Sequence, residues 1–269
     1  MWRAALLAAW VALPIAWVRP AQAACGVDAA ALSAGAQDSR WNEHDAEGRR
    51  LLREQGRLPE AALALSAACG SWSGELSWRH AVGERDYAGL SNRGAAVQTH
   101  SSLRMDESTL SVQRPLLGGI KLGLRAQRQA TRRELASTGA VLGYPERHRH
   151  WVYALGALAE GAAWGESRWR LAAWVGGGPG GRVRIDLPIA DPVTLRTGVM
   201  RQAELQLQWL SAPWAEGWRS SLGLRWRGER IGAGDATTLW RQGVAVGGAL
   251  QPRHELRSAG LEVGVLRTF

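Results

Sequence analysis

The residues with chemistry to offer are few: six histidines, two cysteines and a scatter of carboxylates and hydroxyls. His148-Arg149-His150 sets two imidazoles two residues apart. On an extended strand both face one way, which is half of a metal site. No cysteine, third histidine or carboxylate stands at ligand spacing, so no metal is expected there. His44-Asp45 and Asp86 are the residue types of acid–base hydrolysis and are the weak catalytic candidates. His100-Ser101 joins a base to a hydroxyl. Adjacent residues on a strand point to opposite faces, so His100 does not reach Ser101. Ser137-Thr138-Gly139 and the run Gly176-Gly177-Gly178-Pro179-Gly180-Gly181 lack the Lys-Ser/Thr of a phosphate loop and read as turn or bulge chemistry. No cofactor is expected.

Composition limits what can position these groups. The chain has 269 residues, 46% apolar, with a formal charge of +9. Every basic residue except Lys121 is an arginine, and there are 15 Trp but only one Phe. Two cysteines exclude a disulfide scaffold, and the apolar content excludes a disordered or collagen-like chain. The length suits one large all-β domain or two small ones.

Residues 1–23, MWRAALLAAWVALPIAWVRPAQA, read as a cleaved secretory signal. Arg3 gives the basic start, Ala4 to Val18 the apolar run, and Ala21-Gln22-Ala23 a small-x-small cleavage site. The run is short for a membrane helix, and nothing charged stops transfer behind it. A lipidated Cys25 is disfavoured because Gln22 sits where a small or branched apolar residue belongs. Residues 24–269 then form the mature domain. No later run is apolar and long enough for a membrane helix.

The mature chain alternates instead. In Gln202 to Trp209 every even position is polar and every odd one apolar. The same period of two runs through Ile120 to Gln127, Ser220 to Trp226 and Leu261 to Val265. Period two separates the sets onto opposite faces of a strand. Two environments accept that pattern, a sandwich with a wet outer face and a transmembrane barrel with a polar lumen. Three features favour the barrel. Trp72, Trp151, Trp164, Trp169, Trp209, Trp214 and Trp218 stand at the ends of strands, as interfacial aromatic girdles do. Short turns alternate with longer charged connections. The last alternating segment ends on Phe269, the only Phe.

The spacing predicts strands at 28–42, 58–68, 72–88, 93–116, 120–135, 148–164, 168–187, 193–212, 218–233 and 253–269. Turns at Cys69 to Ser71, Leu117 to Gly119, Gly165 to Ser167 and Pro213 to Gly217 fall on one side, and loops near 43–57, 136–147 and 234–252 on the other. The expected fold is therefore all-β: a closed antiparallel up-and-down transmembrane β-barrel of about ten strands, with eight to twelve allowed by the glycine run.

The terminal alternation closed by Phe269 resembles the C-terminal signature of Gram-negative outer-membrane β-barrel proteins. Trp41-Asn42-Glu43-His44-Asp45, Gly48-Arg49-Arg50-Leu51-Leu52-Arg53-Glu54 and Gly56-Arg57-Leu58-Pro59 are similar to the first strand and loop of a proteobacterial group of such barrels without an assigned function. The resemblance implies an outer-membrane location and assembly by the barrel-assembly machinery with Phe269 as its signal. It implies no catalytic residue.

Several expectations follow. Cys25 and Cys69 lie on one side of the membrane in an oxidising compartment and are expected to form a disulfide. Glu75, Arg79, Lys121, Arg125, Glu160, Arg170, Glu204, Arg225, Arg227 and Glu262 point inward and must pair, because unpaired buried charge is costly. A structural or binding role with a closed or very narrow lumen is favoured, since about eight strands leave the interior filled. One alternative is a small pore whose arginine excess prefers anions. Another is an outer-membrane hydrolase, lipid-A deacylase-like or protease-like, with a rim site at His44, Asp45 and Asp86. The expected partners are outer-membrane lipid and lipopolysaccharide, whose phosphates Arg114 and Arg267 can reach by snorkelling. Nucleic acid is not expected, because the arginines are dispersed and the chain is exported.

Overall fold

A computed structural model describes residues 25–91, 94–139 and 141–269. Residues 1–23, read from sequence as a secretory signal, lie outside the described residues. Fourteen strands follow one another: β1 (Gly26–His44), β2 (Arg50–Cys69), β3 (Trp72–Leu90), β4 (Ala96–Pro115), β5 (Ile120–Leu135), β6 (Pro145–Ala162), β7 (Arg168–Gly178), β8 (Arg182–Ile185), β9 (Val193–Arg196), β10 (Met200–Leu210), β11 (Trp218–Ile231), β12 (Ala236–Arg241), β13 (Val244–Leu250) and β14 (Arg253–Thr268). Ten of them close a ring in the order β1-β2-β3-β4-β5-β6-β7-β10-β11-β14, each antiparallel to its neighbours. The remaining four prolong the wall beyond the ring. The β8–β9 pair continues β7 and β10 past the glycine run, β8 still pairing with β6 through Arg149↔Arg182. The Thr197 N–H donates to the Gly181 carbonyl across that gap. The run is thus an irregularity in one long strand, one of the two readings its composition allowed. The β12–β13 hairpin rises in the same way above β11 and β14, where the Gly234 N–H donates to the Gln251 carbonyl.

The barrel is inside out relative to a soluble domain. Leu63, Leu65, Leu76, Leu110, Leu122, Leu124, Leu155, Leu222, Leu224, Leu261 and Val263 all face outward and are exposed. Their strand neighbours Arg79, Glu107, Gln127, Glu204, Arg225 and Glu262 face inward. Such a surface is stable only against hydrocarbon, and a closed ring leaves no unpaired strand edge to face it. Strands as long as the 19-residue β1 span more than an apolar layer. At ~3.3 Å per residue and a tilt of ~40°, β1 rises roughly 48 Å, well beyond the ~25 Å band.

Cys25, the first described residue, and Phe269 lie at the end bearing the short turns. Each turn there carries a glycine in the left-handed region, Gly70, Gly118, Gly165 and Gly217 with φ between 56° and 69°. Cys25 and Cys69 are joined by a disulfide at this end. The Phe269 N–H donates to the Asp28 carbonyl, tying the last residue to the first strand.

The expected loops near 43–57 and 234–252 are shorter than predicted. Strand pairing in β1–β2 continues to Arg50, and most of 234–252 is the β12–β13 hairpin. Above the apolar layer the outer face turns polar and apolar residues move to the inner face. Arg53, Gln55 and Arg57 alternate with Leu52, Glu54 and Leu58, so the apolar phase of the alternation reverses and mixes there.

Candidate functional site

With an apolar outer belt, chemistry is confined to the lumen and the loop end. The lumen divides into three tiers. At the terminal end two adjoining chambers of about 150 and 160 Å³ share Ser66, Glu75, Ser111, Arg125, Arg170 and Gln206 as walls. Glu160 receives both Lys121 Nζ and Arg170 Nε at 3.3 Å.

The middle tier is a mesh of ion pairs. Arg227 from β11 donates to Glu107 on β4 at 2.5 and 2.9 Å and to Glu204 on β10 at 2.7 Å. Glu204 stands directly opposite Arg227 on the neighbouring strand, whereas the bonds to Glu107 cross the lumen. Glu204 also accepts from Arg125 at 2.7 Å, and the Arg125 guanidinium lies 4.1 Å from the Trp174 ring centre. Trp174 fits because Gly156 and Gly123 face it; a Cβ at Gly156 would sit 2.3 Å from the indole. Glu60 accepts from Arg79 at 2.8 Å and Arg225 at 2.9 Å, and Arg79 continues to Glu262 at 2.9 Å. Bidentate and bridging guanidinium contacts of this kind are the strong, directional ones.

The outer tier stands level with outward-facing Arg132, Arg147 and Arg149, above the apolar belt. Arg133 is clamped between Glu54 and Glu146, with Arg133 Nη1 donating to Glu146 at 2.8 Å and Nε to Glu54 at 2.8 Å. Arg85, fully buried, donates to the Ser39 hydroxyl at 2.6 Å. His148 Nε2 shares a hydrogen bond with Glu146 at 2.9 Å. Trp41 stacks on His254 at 4.5 Å and donates to Glu43 at 3.1 Å. Burial raises the Glu43 carboxyl to about 7 against the pull of Arg133. Burial, then the neighbouring His148, lowers the His150 imidazole to about 4.

All ten predicted lumen residues face inward. That set holds more cations than carboxylates. The structure adds Glu43, Glu54, Glu60, Glu107, Glu146 and Glu229, against only Arg85 and Arg133, and the arginine excess disappears from the lumen. His254 also joins His148 and His150, at 6.2 Å between the His148 and His254 ring centres. It lies more than a hundred residues away in sequence, so local spacing held no trace of it. Among the described residues no group of His, Cys, Asp and Glu is arranged to hold a metal ion.

The rim candidates do not converge. Asp45 is held by its own loop, accepting from Arg49 Nε at 2.7 Å and the Arg49 N–H at 2.8 Å. His44 is the last residue of β1, opposite Arg253. Asp86 is exposed on the outer face of β3, opposite exposed His100. Ser101 is fully buried on the other face of β4 from His100. Arg114 and Arg267 lie at the terminal end, 5.4 Å from the ring of Trp72 and 5.5 Å from that of Trp218.

Fold and lumen together define a closed antiparallel barrel of the transmembrane type with a charged, ion-paired interior. No protein-family model matches the chain, and neither does any curated protein. Among solved structures it is similar to the outer membrane protease OmpT from Escherichia coli, with a TM-score of 0.61 at 13% identity, covering 90% of this chain and 97% of that one. It also matches the translocator domain of the autotransporter NalP from Neisseria meningitidis, at 9% identity and a TM-score of 0.45 over 91% and 89% of the chains. The beta domain of the Bordetella autotransporter BrkA matches at 12% identity and 0.43 over 90% and 100%. These likenesses concern the fold alone.

Proposed function

We propose that this chain is an integral barrel of the bacterial outer membrane with a sealed lumen, serving as a rigid structural and binding platform at the cell surface. Its exported, signal-bearing precursor loses residues 1–23. The terminal end faces the periplasm, where the Cys25–Cys69 disulfide suits an oxidising compartment. Phe269 acts as the recognition residue for barrel assembly, and the exposed Trp72, Trp164 and Trp214 at the turns form the inner aromatic girdle.

The observation that carries this reading is the middle tier. Arg227 spans from β11 to β4 and β10, and the Glu60–Arg225 and Arg79–Glu262 pairs stand beside it. Above it, Arg133, Glu54 and Arg85 are almost wholly inaccessible to solvent. An ion entering would have to displace paired charges that already neutralise one another, so neither anions nor cations gain a path. A hydrolytic role has only the overall likeness to an outer membrane protease behind it, since Asp45 is held within its own turn by Arg49 and Asp86 stands on the outer wall opposite His100. Recordings on refolded protein in planar lipid bilayers test the proposal. The expected result is a silent membrane; steady unitary steps from folded barrels would overturn it.

A further inference from the structure

The arginines absent from the lumen sit on the outside of the barrel, and on one side they do so without partners. Strand register places Arg104 of β4 opposite Arg132 of β5, Arg132 opposite Arg147 of β6, and Arg147 opposite Arg184 of β8. Two residues nearer the membrane, Arg149 stands opposite Arg182, and Arg182 opposite Arg196 of β9. All these side chains are exposed, and their strand neighbours Leu103, Arg133, His148, Val183 and Leu195 are buried, so the arginines share the outward face.

Like charges directly opposite across a ladder repel, and a wall of them is a cost that isolated folding does not explain. Of the seven, only Arg184 has an ion pair among the described residues, with Asp186 at 3.1 Å. Glu134, beside Arg132 on the same face of β5, pairs with none of them, and Asp106 is taken by His80 at 2.8 Å. The opposite side also sets Arg40 opposite Arg257 and Arg201 opposite Arg230, but with carboxylates among them. There Arg57 meets Asp38 at 3.1 Å and Arg230 meets Glu255 at 3.2 Å. The longest run of opposed arginines with almost no acidic partners is therefore on β4–β9.

Its height is equally specific. Trp151 and Tyr153, exposed and stacked at 6.5 Å, lie on the same face of β6 immediately below Arg149. Below them comes Leu155, exposed in the apolar belt. The patch begins where hydrocarbon ends. We infer that the face formed by Arg104, Arg132, Arg147, Arg149, Arg182 and Arg196 binds a multiply phosphorylated lipid headgroup of the outer leaflet, its acyl chains lying along β5 and β6. Guanidinium forks match phosphate oxygens in pairs, and a doubly phosphorylated sugar headgroup spans two rows at once. The inference rests on the membrane orientation proposed above and moves lipid-A-type recognition away from Arg114 and Arg267, which lie at the other end.

The test is native mass spectrometry of the whole barrel in detergent micelles doped with bisphosphorylated lipid A, its dephosphorylated form, or phosphatidylglycerol. The expected result is retention of bisphosphorylated lipid A and little of the others. The quadruple variant Arg104→Gln/Arg132→Gln/Arg147→Gln/Arg149→Gln should lose at least about tenfold in affinity. Arg40→Gln/Arg57→Gln/Arg253→Gln on the opposite side should keep it. Equal retention by both variants, or equal uptake of the dephosphorylated lipid, overturns the site. Stronger binding of soluble heparin than of lipid A overturns the lipid assignment in favour of an acidic polymer. Folding is followed separately by heat-modifiable migration in gels. Because the measurement is made in micelles, a failed membrane orientation leaves lipid A binding intact, so the two failures are distinguishable.

Discussion

Arg227 pairs with more carboxylates than any other side chain of the middle tier, reaching Glu107, Glu204 and Glu229. Replacing it with Met keeps most of the volume and removes every bond to Glu107 and Glu204, as well as the 3.6 Å contact with Glu229. Glu204 keeps Arg125 at 2.7 Å, but Glu107 is left with only Arg225, 4.0 Å away. Removing one partner of a buried charged network costs about 3–5 kcal/mol, mainly because the remaining charge stays desolvated. The Glu107 side chain is 17% exposed to the lower chamber, which puts the expectation near the bottom of that range, about 3 kcal/mol. The double variant Arg227→Met/Glu107→Gln removes the orphaned charge as well and should recover at least ~1 kcal/mol. Urea unfolding of the refolded barrel in detergent, followed by tryptophan fluorescence, reads both differences. A loss below ~1 kcal/mol for Arg227→Met would refute the reasoning, because it would mean that water already solvates this tier.

Three other outcomes are expected. The outer tier couples stability to pH through opposed groups: the lowered His150 contributes stability that is present above pH 6.5 and lost as pH falls towards about 4, while the raised Glu43 contributes stability that is present below 4.5 and lost as pH rises through about 7. Between pH 4.5 and 6.5, Glu43→Gln should therefore steepen the loss of stability on acidification and His150→Asn should flatten it, each by about 2–3 kcal/mol, as read from urea midpoints in a pH series. Reducing Cys25–Cys69, which closes a loop of 44 residues, should cost about 2–4 kcal/mol in the same assay without altering the strand content seen by circular dichroism. Gly156→Val places methyls where the Trp174 ring lies and should impair folding by more than ~2 kcal/mol, whereas Gly156→Val/Trp174→Ala should restore much of it.

The parts of this fold that could be read from sequence are those facing hydrocarbon. Leu122 and Leu124 alternate with Lys121, Gly123 and Arg125 because lipid on one side and lumen on the other demand opposite chemistries. The turns at Gly70, Gly118, Gly165 and Gly217 announce themselves through residues that take a positive φ without strain. Beyond the membrane the outer face turns charged while Trp41, Leu52, Tyr87 and Val97 pack inside among ionised groups, so the lipid-facing signal is lost. That is why Arg50 to Arg57 read as loop and why the β12–β13 hairpin was invisible. The inward orientation of Arg225, Arg227 and Glu204 was legible from parity. Their partners Glu60 and Glu107 were not, because closing the ring sets β2 and β4 beside β10 and β11, and no local pattern encodes which strands face each other across a lumen. The outward arginine wall is a similar case. Arg147 and Arg149 are conspicuous in the chain, but Arg104 and Arg184 join them only through the register of four strands.

Hydrocarbon solvating the outer face is the claim beneath all the others, and fluorescence quenching by brominated lipids tests it most directly. In variants retaining one tryptophan each, Trp78 and Trp226 on the outward face should be quenched strongly by bromines on the acyl chains. Trp41 and Trp174, inside the wall, should be quenched weakly. Equal quenching at Trp174 and Trp226, or none at Trp226 in folded protein, would contradict a lipid-facing exterior around a sealed lumen.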